Sequence, residues 1–395
     1  MSPVSPAESD LRSEHAQHPA QYPGHPAYAD HSEHADHPEY AEYVGYAEYA
    51  PEPQHAEGAP RRHRAHAIDA APREPGSAGA KGVLLPALIV LVIGSIFVSV
   101  YLAAFHAPQP HRLPVAVVGS SQALGQVESA LDTAQPGGFD VQGYPDQAGA
   151  RAALAHRDVY AAYITTGATP ELLYAGANGT GVTATVTGAF GAVAKAGGQQ
   201  LTAQDVLPSS SGDTRGLSVF YAAFGVILAG FMFGTTTYQL APRLEYRWRM
   251  LSLLTFGALG GVMVAVVAGH AFHALPGPFV GIAGVVALMA IAAGGATMAL
   301  MRLLGPAGVS LSSVVLLILG NASSGGILPA DYLPGWLYPL HAILPVGVGV
   351  RTIQGLAYFD HDGLAVGITV LTVWVVVCAV VLYLRDVWSV QARRS

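Results

Sequence analysis

The sequence predicts a polytopic α-helical membrane protein with six transmembrane helices, an extracytoplasmic α/β domain between helices 1 and 2, and a re-entrant segment between helices 5 and 6. Three observations carry that reading. Of 395 residues, 51% are hydrophobic and only 11% charged, far from the roughly 25% charged of an average soluble protein. Apolar runs long enough to cross about 30 Å of hydrocarbon recur along the chain. Arginines fall in alternate connections between those runs, as the positive-inside rule requires of a multi-pass protein.

Residues 1–80 form a tail rich in Ala, Pro, His, Tyr and Glu, holding 13 of the 26 acids and nine of the 16 histidines. Its few branched aliphatics bury too little apolar area to offset ordering entropy, so it reads as a disordered cytoplasmic segment. The tyrosines at 40, 43, 46 and 49 suit docking or phosphorylation, and compositional bias accounts for them equally well. Arg61, Arg62, Arg64, Arg73 and Lys81 precede the first span, residues 83–104, and hold the N-terminus inside.

Residues 105–216 have the character of a small soluble domain. Pro114–Gly119, Phe139–Tyr144, Asp158–Thr165 and Pro170–Ala175 read as strands, and Val182–Ala194 as a small-residue helix. Ser121–Leu131 places Leu124, Val127 and Leu131 on one helical face. Gly176, Gly179 and Gly181 lack the Lys-Ser/Thr end of a phosphate loop and read as a tight turn.

Residues 217–385 form the membrane domain, with spans at 217–238, 251–271, 279–301, 307–327 and 364–384 and a C-terminal cytoplasmic segment at 386–395. Gly230 with Gly234 and Gly257 with Gly261 have the four-residue spacing that lets helix backbones approach, and Gly294 and Gly295 add to the fourth span. Arg243, Arg247, Arg249, Arg302 and Arg385 mark the cytoplasmic side. Between the second and third spans, Ala241 to Met250 is amphipathic, with Glu245 and Arg249 spaced for a helical ion pair. It reads as a contact for a cytoplasmic motor subunit or as an interfacial loop anchored by Trp248. Arg351, on the outer side, either pairs with Asp360 or Asp362 or faces a polar pathway. His270 and His273 read as interfacial, and Cys378 as a small buried hydrophobe.

The stretch from residue 328 to 358 is too apolar for a water-exposed linker and too broken by Pro329, Pro334, Pro339 and Pro345 for a span. It reads as a membrane-dipping element lining or covering a translocation route. No phosphate loop, zinc-protease motif or catalytic carboxylate pair is legible, so neither enzymatic activity nor a cofactor or metal is expected, and no basic surface suggests nucleic acid.

One span, a large outer domain and five further spans, with GNASSGGILPADYLPGWLYPLHAILPVGVGVRTIQGLAYF at 320–359, resemble the type 2 ABC exporter permeases, in particular the YhgE/Pip-like and DUF3533-like bacterial membrane proteins. The resemblance covers about residues 83–385. It implies an outward gate at Ser324, Gly325, Gly326, Pro329, Leu333, Pro334, Trp336, Pro345 and Arg351, and a coupling loop at Arg243, Glu245, Arg247 and Arg249. It further implies a plasma-membrane homodimer that exports a small hydrophobic or amphipathic substrate from the lipid bilayer with a separate cytoplasmic ATPase subunit. The alternative is a non-transporting envelope or receptor-like protein whose outer domain binds a partner.

Overall fold

The computed structural model describes residues Ala80–Gln391, with side chains from Leu84 to Trp388. The predicted tail, up to residue 79, and residues 392–395 of the C-terminal segment lie outside the described residues.

Helix α1 (Ala80–Phe105) leads into a five-stranded sheet. Strands β1 (Leu113–Val118), β2 (Phe139–Tyr144), β3 (Ala161–Ile164), β4 (Glu171–Tyr174) and β5 (Thr202–Asp205) lie in the order β2-β1-β3-β4-β5. Only the β3–β4 pairing is antiparallel. Period-two alternation divides β1 between two layers. Leu113, Val115 and Val117 pack with Val127 and Leu131 of α2 (Ser121–Ala134) and with Val182, Val186 and Phe190 of α4 (Thr180–Ala196). Ala116 and Val118 face Ala150, Ala153 and Leu154 of α3 (Gln147–Ala155). Ser120 caps α2 and Asp146 caps α3 through backbone N–H groups three residues on.

Among the described residues, five helices are long and apolar enough to cross a membrane. They lie in α1, α5 (Ser218–Leu240), α6 (Tyr246–Val264, continuing as π-helix through Ala271), α7 (Phe279–Leu304) and α12 (Leu364–Gln391). α7 is the most buried and the others gather on it. Cβ atoms placed at Gly230 and Gly234 of α5 would lie 2.8 Å and 2.7 Å from Ala293 and Thr297. At Gly257 and Gly261 of α6 they would lie within 2.4 Å of Ile291 and 2.2 Å of the Ala283 carbonyl. The predicted glycine spacing therefore marks close approach to α7.

The six-span prediction is corrected to five. The run expected to span 307–327 is helical only over Ala307–Ala322, as α8 (Ala307–Ser312), a π-helical stretch (Ser313–Leu319) and α9 (Gly320–Ala322). Even at the α-helical rise this rod reaches about 24 Å, short of about 30 Å of hydrocarbon. The Ser323 hydroxyl donates back to the Leu319 carbonyl at 2.8 Å, and Gly325 at φ +72° turns the chain aside. Hydropathy counted these small residues as helix because they are uncharged, although their backbone has left it.

The predicted re-entrant segment is corrected as well. Residues 323–337 clasp the α/β domain. The following α10 (Tyr338–Ile343) and α11 (Pro345–Ala357) are separate helices, and α11 is buried within the helical bundle on nearly every residue except Arg351. The four prolines mark corners of this packing. Pro345 opens α11 at its first turn, where a missing N–H costs nothing.

The close approach to α7 makes a direct prediction. Gly261→Leu should lower the folded yield and melting temperature of the detergent-purified chain, on the order of 1–3 kcal/mol for overpacking. Gly225→Leu, whose Cβ would meet nothing within 4 Å, should leave both unchanged. Equal melting temperatures for the two variants would contradict this packing.

Candidate functional site

Helices α5 and α6 are both pinned to α7, and the stacked rings of Phe233 and Phe256, 4.3 Å apart, join them to each other. Toward the α/β domain they diverge and leave a cleft of about 600 Å³ backed by Ala290 of α7. Gly225 and Gly260 keep its walls low, since a Cβ at either would meet nothing within 4 Å. The π-helical turn Ala265–Ala271 widens the end of α6, and Gly212, Phe272 and Ala274 close the domain end. Tyr221, Met263 and Phe272 are exposed along the walls, so the cleft is reachable from the apolar outer face. A volume of this size suits one small-molecule ligand, and its lining is chemically an apolar solvent.

Above the bundle, the clasp ties the domain to the helices. Tyr332, 3% exposed, completes the domain core beside Val182, Val186 and Phe190, and Leu328 lies against Gly181. The Asp331 carboxylate accepts from the Tyr160 hydroxyl at 2.8 Å, and its carbonyl accepts from the His111 N–H at 2.7 Å. Burial raises the Tyr160 pKa, keeping the phenol protonated as that donor. On the other side of the joint, Phe359 packs with Ala175 and Ala177, and the Arg157 guanidinium lies 4.8 Å above its ring.

The predicted gate residues are not brought to one place. Ser324, Gly325, Gly326, Pro329, Leu333 and Pro334 belong to the clasp, where Gly325 abuts His341 and Gly326 abuts Phe220. Trp336 lies near the end of the clasp but is exposed, and Pro345 is buried at the start of α11. Arg351 forms a two-pronged pair with Asp362 at 3.0 Å and 2.9 Å, one of the two partners anticipated.

At the opposite end of the bundle, Glu245 pairs with Arg247 at 2.9 Å rather than with Arg249. Arg247 and Arg249 lie within α6, and Arg243 is exposed in the short connection before it. Arg249, 3% exposed, donates to Asp386 of α12 at 3.2 Å and to the Leu244 carbonyl at 2.5 Å. Arg302 of α7 reaches the same carboxylate at 2.8 Å, and Arg385 donates to the Arg302 carbonyl. A buried arginine needs such partners, because isolating its charge would cost several kcal/mol. The sequence signal for this cluster was Asp386, an acid among basic residues.

Sequence reasoning missed the cleft. Its signal was weak: Gly225 and Gly260 fall outside the four-residue glycine pairs, and the π-helical stretch Ala265–Ala271 has no proline to mark it. Among the described residues, no group of three His, Cys, Asp or Glu side chains is placed to hold a metal ion. His270 sits edge-on to Phe279, and Cys378 is buried against Gly295. No protein-family model, curated protein or solved structure matches the chain.

The joint carries a pH prediction. Burial, reinforced by Arg157 and Arg351, lowers the His341 pKa from 6.5 to about 4, and its Nδ1 is buried without a hydrogen-bond partner. The unfolded chain takes up this proton near the unperturbed value while the folded chain resists it, so stability falls as pH drops through that window. His341→Gln should flatten the decline in melting temperature of the detergent-purified chain between pH 6.5 and about 4. An unchanged slope would remove His341 as its source.

Proposed function

We propose that this chain is the membrane subunit of an exporter that moves a hydrophobic or amphipathic compound outward across a bacterial plasma membrane. In this reading two copies form the working unit, and a separate cytoplasmic ATPase supplies the energy. The observation that carries the proposal is the apolar cleft between α5 and α6, of about 600 Å³ and walled by exposed apolar side chains. A compound dissolved in the bilayer reaches such a cleft without first entering water. A bundle serving only as an anchor has no need to hold its helices apart.

Charge supports the direction. Arg243, Arg247, Arg249, Arg302 and Arg385 collect at one end of the bundle, opposite the α/β domain, and the positive-inside rule favours the cytoplasm for that end. The rod Ala307–Ala322, too short to count among the five, carries the chain from the Arg302 end of α7 back to the clasp, packing at Gly308 on Leu300 and at Ala322 beside Ala104. Thus α1 and α12 both have their outer termini at the arginine end, and the N- and C-termini are cytoplasmic in this reading. Arg243 and the start of α6 then offer the motor a helix end that is fixed to α7 and α12 through Arg249 and Asp386. The resemblance at 320–359 to exporter permeases supports the same class.

Filling the cleft is the test. Gly225→Leu and Gly260→Leu place an apolar side chain into open space, so the melting temperature should hold. Binding of a lipophilic fluorescent dye to the full chain in nanodiscs should weaken about tenfold, roughly 1.4 kcal/mol, and cells expressing either variant should retain more dye than cells expressing the parent. Unchanged binding and export in both variants would rule out the cleft. Purification from native membranes without a co-purifying ATPase, together with unchanged lipid and dye export on deletion, would overturn the exporter reading itself.

A further inference from the structure

The electrostatics of the cleft narrow what it can take. Among the described residues lining it, none is charged, and Ser218 and Tyr221 supply the side-chain hydroxyls. An ion of either sign entering this lining gives up its hydration without meeting a counter-charge, which costs several kcal/mol.

The N-terminus of α5 opens onto the same end of the cleft at Ser218. A free helix N-terminus would favour an anion through its exposed N–H groups. Here the two leading donors, the Leu217 and Ser218 N–H groups, are taken. The Asp213 carboxylate, 5% exposed, accepts from the Leu217 N–H at 3.0 Å and the Ser218 N–H at 2.9 Å. It lies one residue from Gly212, which lines the cleft. An anionic head would therefore meet a carboxylate where a free helix end would have stabilised it. A cationic head would find that carboxylate buried and already held by two N–H groups. Arg215, two residues further along, is exposed and does not line the cleft. His273 faces the loop through its carbonyl, which accepts from the Ser210 hydroxyl, and His270 is stacked edge-on to Phe279.

We infer that the cleft binds an uncharged amphiphile: a long apolar chain lying between α5 and α6, with a hydroxyl-bearing head at the Ser218 end. This deepens the exporter reading and rests on its cleft. It names the substrate class as long-chain alcohols and their neutral relatives, as opposed to fatty acids, anionic phospholipids or lipophilic amines.

The test uses the full chain in zwitterionic nanodiscs and three photoreactive probes of equal chain length, ending in an alcohol, a carboxylate and an amine. Each carries a diazirine at the far end of the chain and is present at the same bilayer mole fraction. The alcohol should label α5 and α6 peptides flanking the cleft at least about tenfold more than either charged probe. That labelling should disappear in Gly225→Leu. Ser218→Ala, which leaves both N–H bonds to Asp213 in place, should reduce alcohol labelling while the melting temperature holds. Cleft labelling by the carboxylate or the amine equal to or above that of the alcohol would overturn the uncharged class and leave the cleft standing. Labelling of all three probes that Gly225→Leu does not change would show bilayer background only and overturn the cleft with it.

Discussion

The membrane domain depends on how closely other helices can lie against α7. A hydrocarbon solvent offers little hydrophobic gain for bringing apolar helices together, so association has to come from packing at short range. Gly230 and Gly234 bring α5 onto the small residues Ala290, Ala293 and Gly294, and Gly257 and Gly261 bring α6 onto Ala283, Ala287 and Ile291. Gly295 admits Cys378 of α12, and Gly349 of α11 rests on Met289. The bundle is thus built by backbone approach to one shared column. At its far end the Arg249–Asp386–Arg302 cluster adds the strong polar tie.

The cleft follows from the same constraint. Where α5 and α6 carry glycine facing α7 they are held; where Gly225 and Gly260 face away from it they leave space. The π-helical end of α6 then inserts extra backbone just where the two helices separate. The packed and open portions of the pair differ less in composition than in which helix face carries the glycine.

That difference explains what was legible in the sequence. Composition and run length identified the membrane class, and alternation and helical spacing found β1, α2, β2, β3 and β4. They missed α3, whose buried residues are mostly alanine, and β5, whose four residues are all exposed. The four-residue glycine pairs identified the packing faces. Hydropathy failed at 307–327 because it measures transfer free energy and not whether the backbone stays helical. Ser323 to Gly326 are uncharged, small and outside any helix. It failed again at 338–357, where an apolar, proline-bounded stretch is equally the signature of a core helix, which α11 is. The Arg249–Asp386 pair spans 137 residues, a separation that no local spacing rule reaches.

The clasp has a consequence for how the protein is made. The sheet and helices of the α/β domain are complete in sequence by residue 205, yet Leu328 and Tyr332 fill part of its core, and the Tyr160–Asp331 bond joins residues 171 positions apart. A ribosome delivers the domain long before it delivers its last core side chains, and α5, α6 and α7 must be inserted in between. The emerging domain therefore waits with an apolar opening over α4, and the loop that closes it arrives attached to the membrane bundle. Final consolidation of the domain therefore comes only after α5, α6 and α7 have been made, and the core of the domain and the packing of the bundle are completed by the same loop.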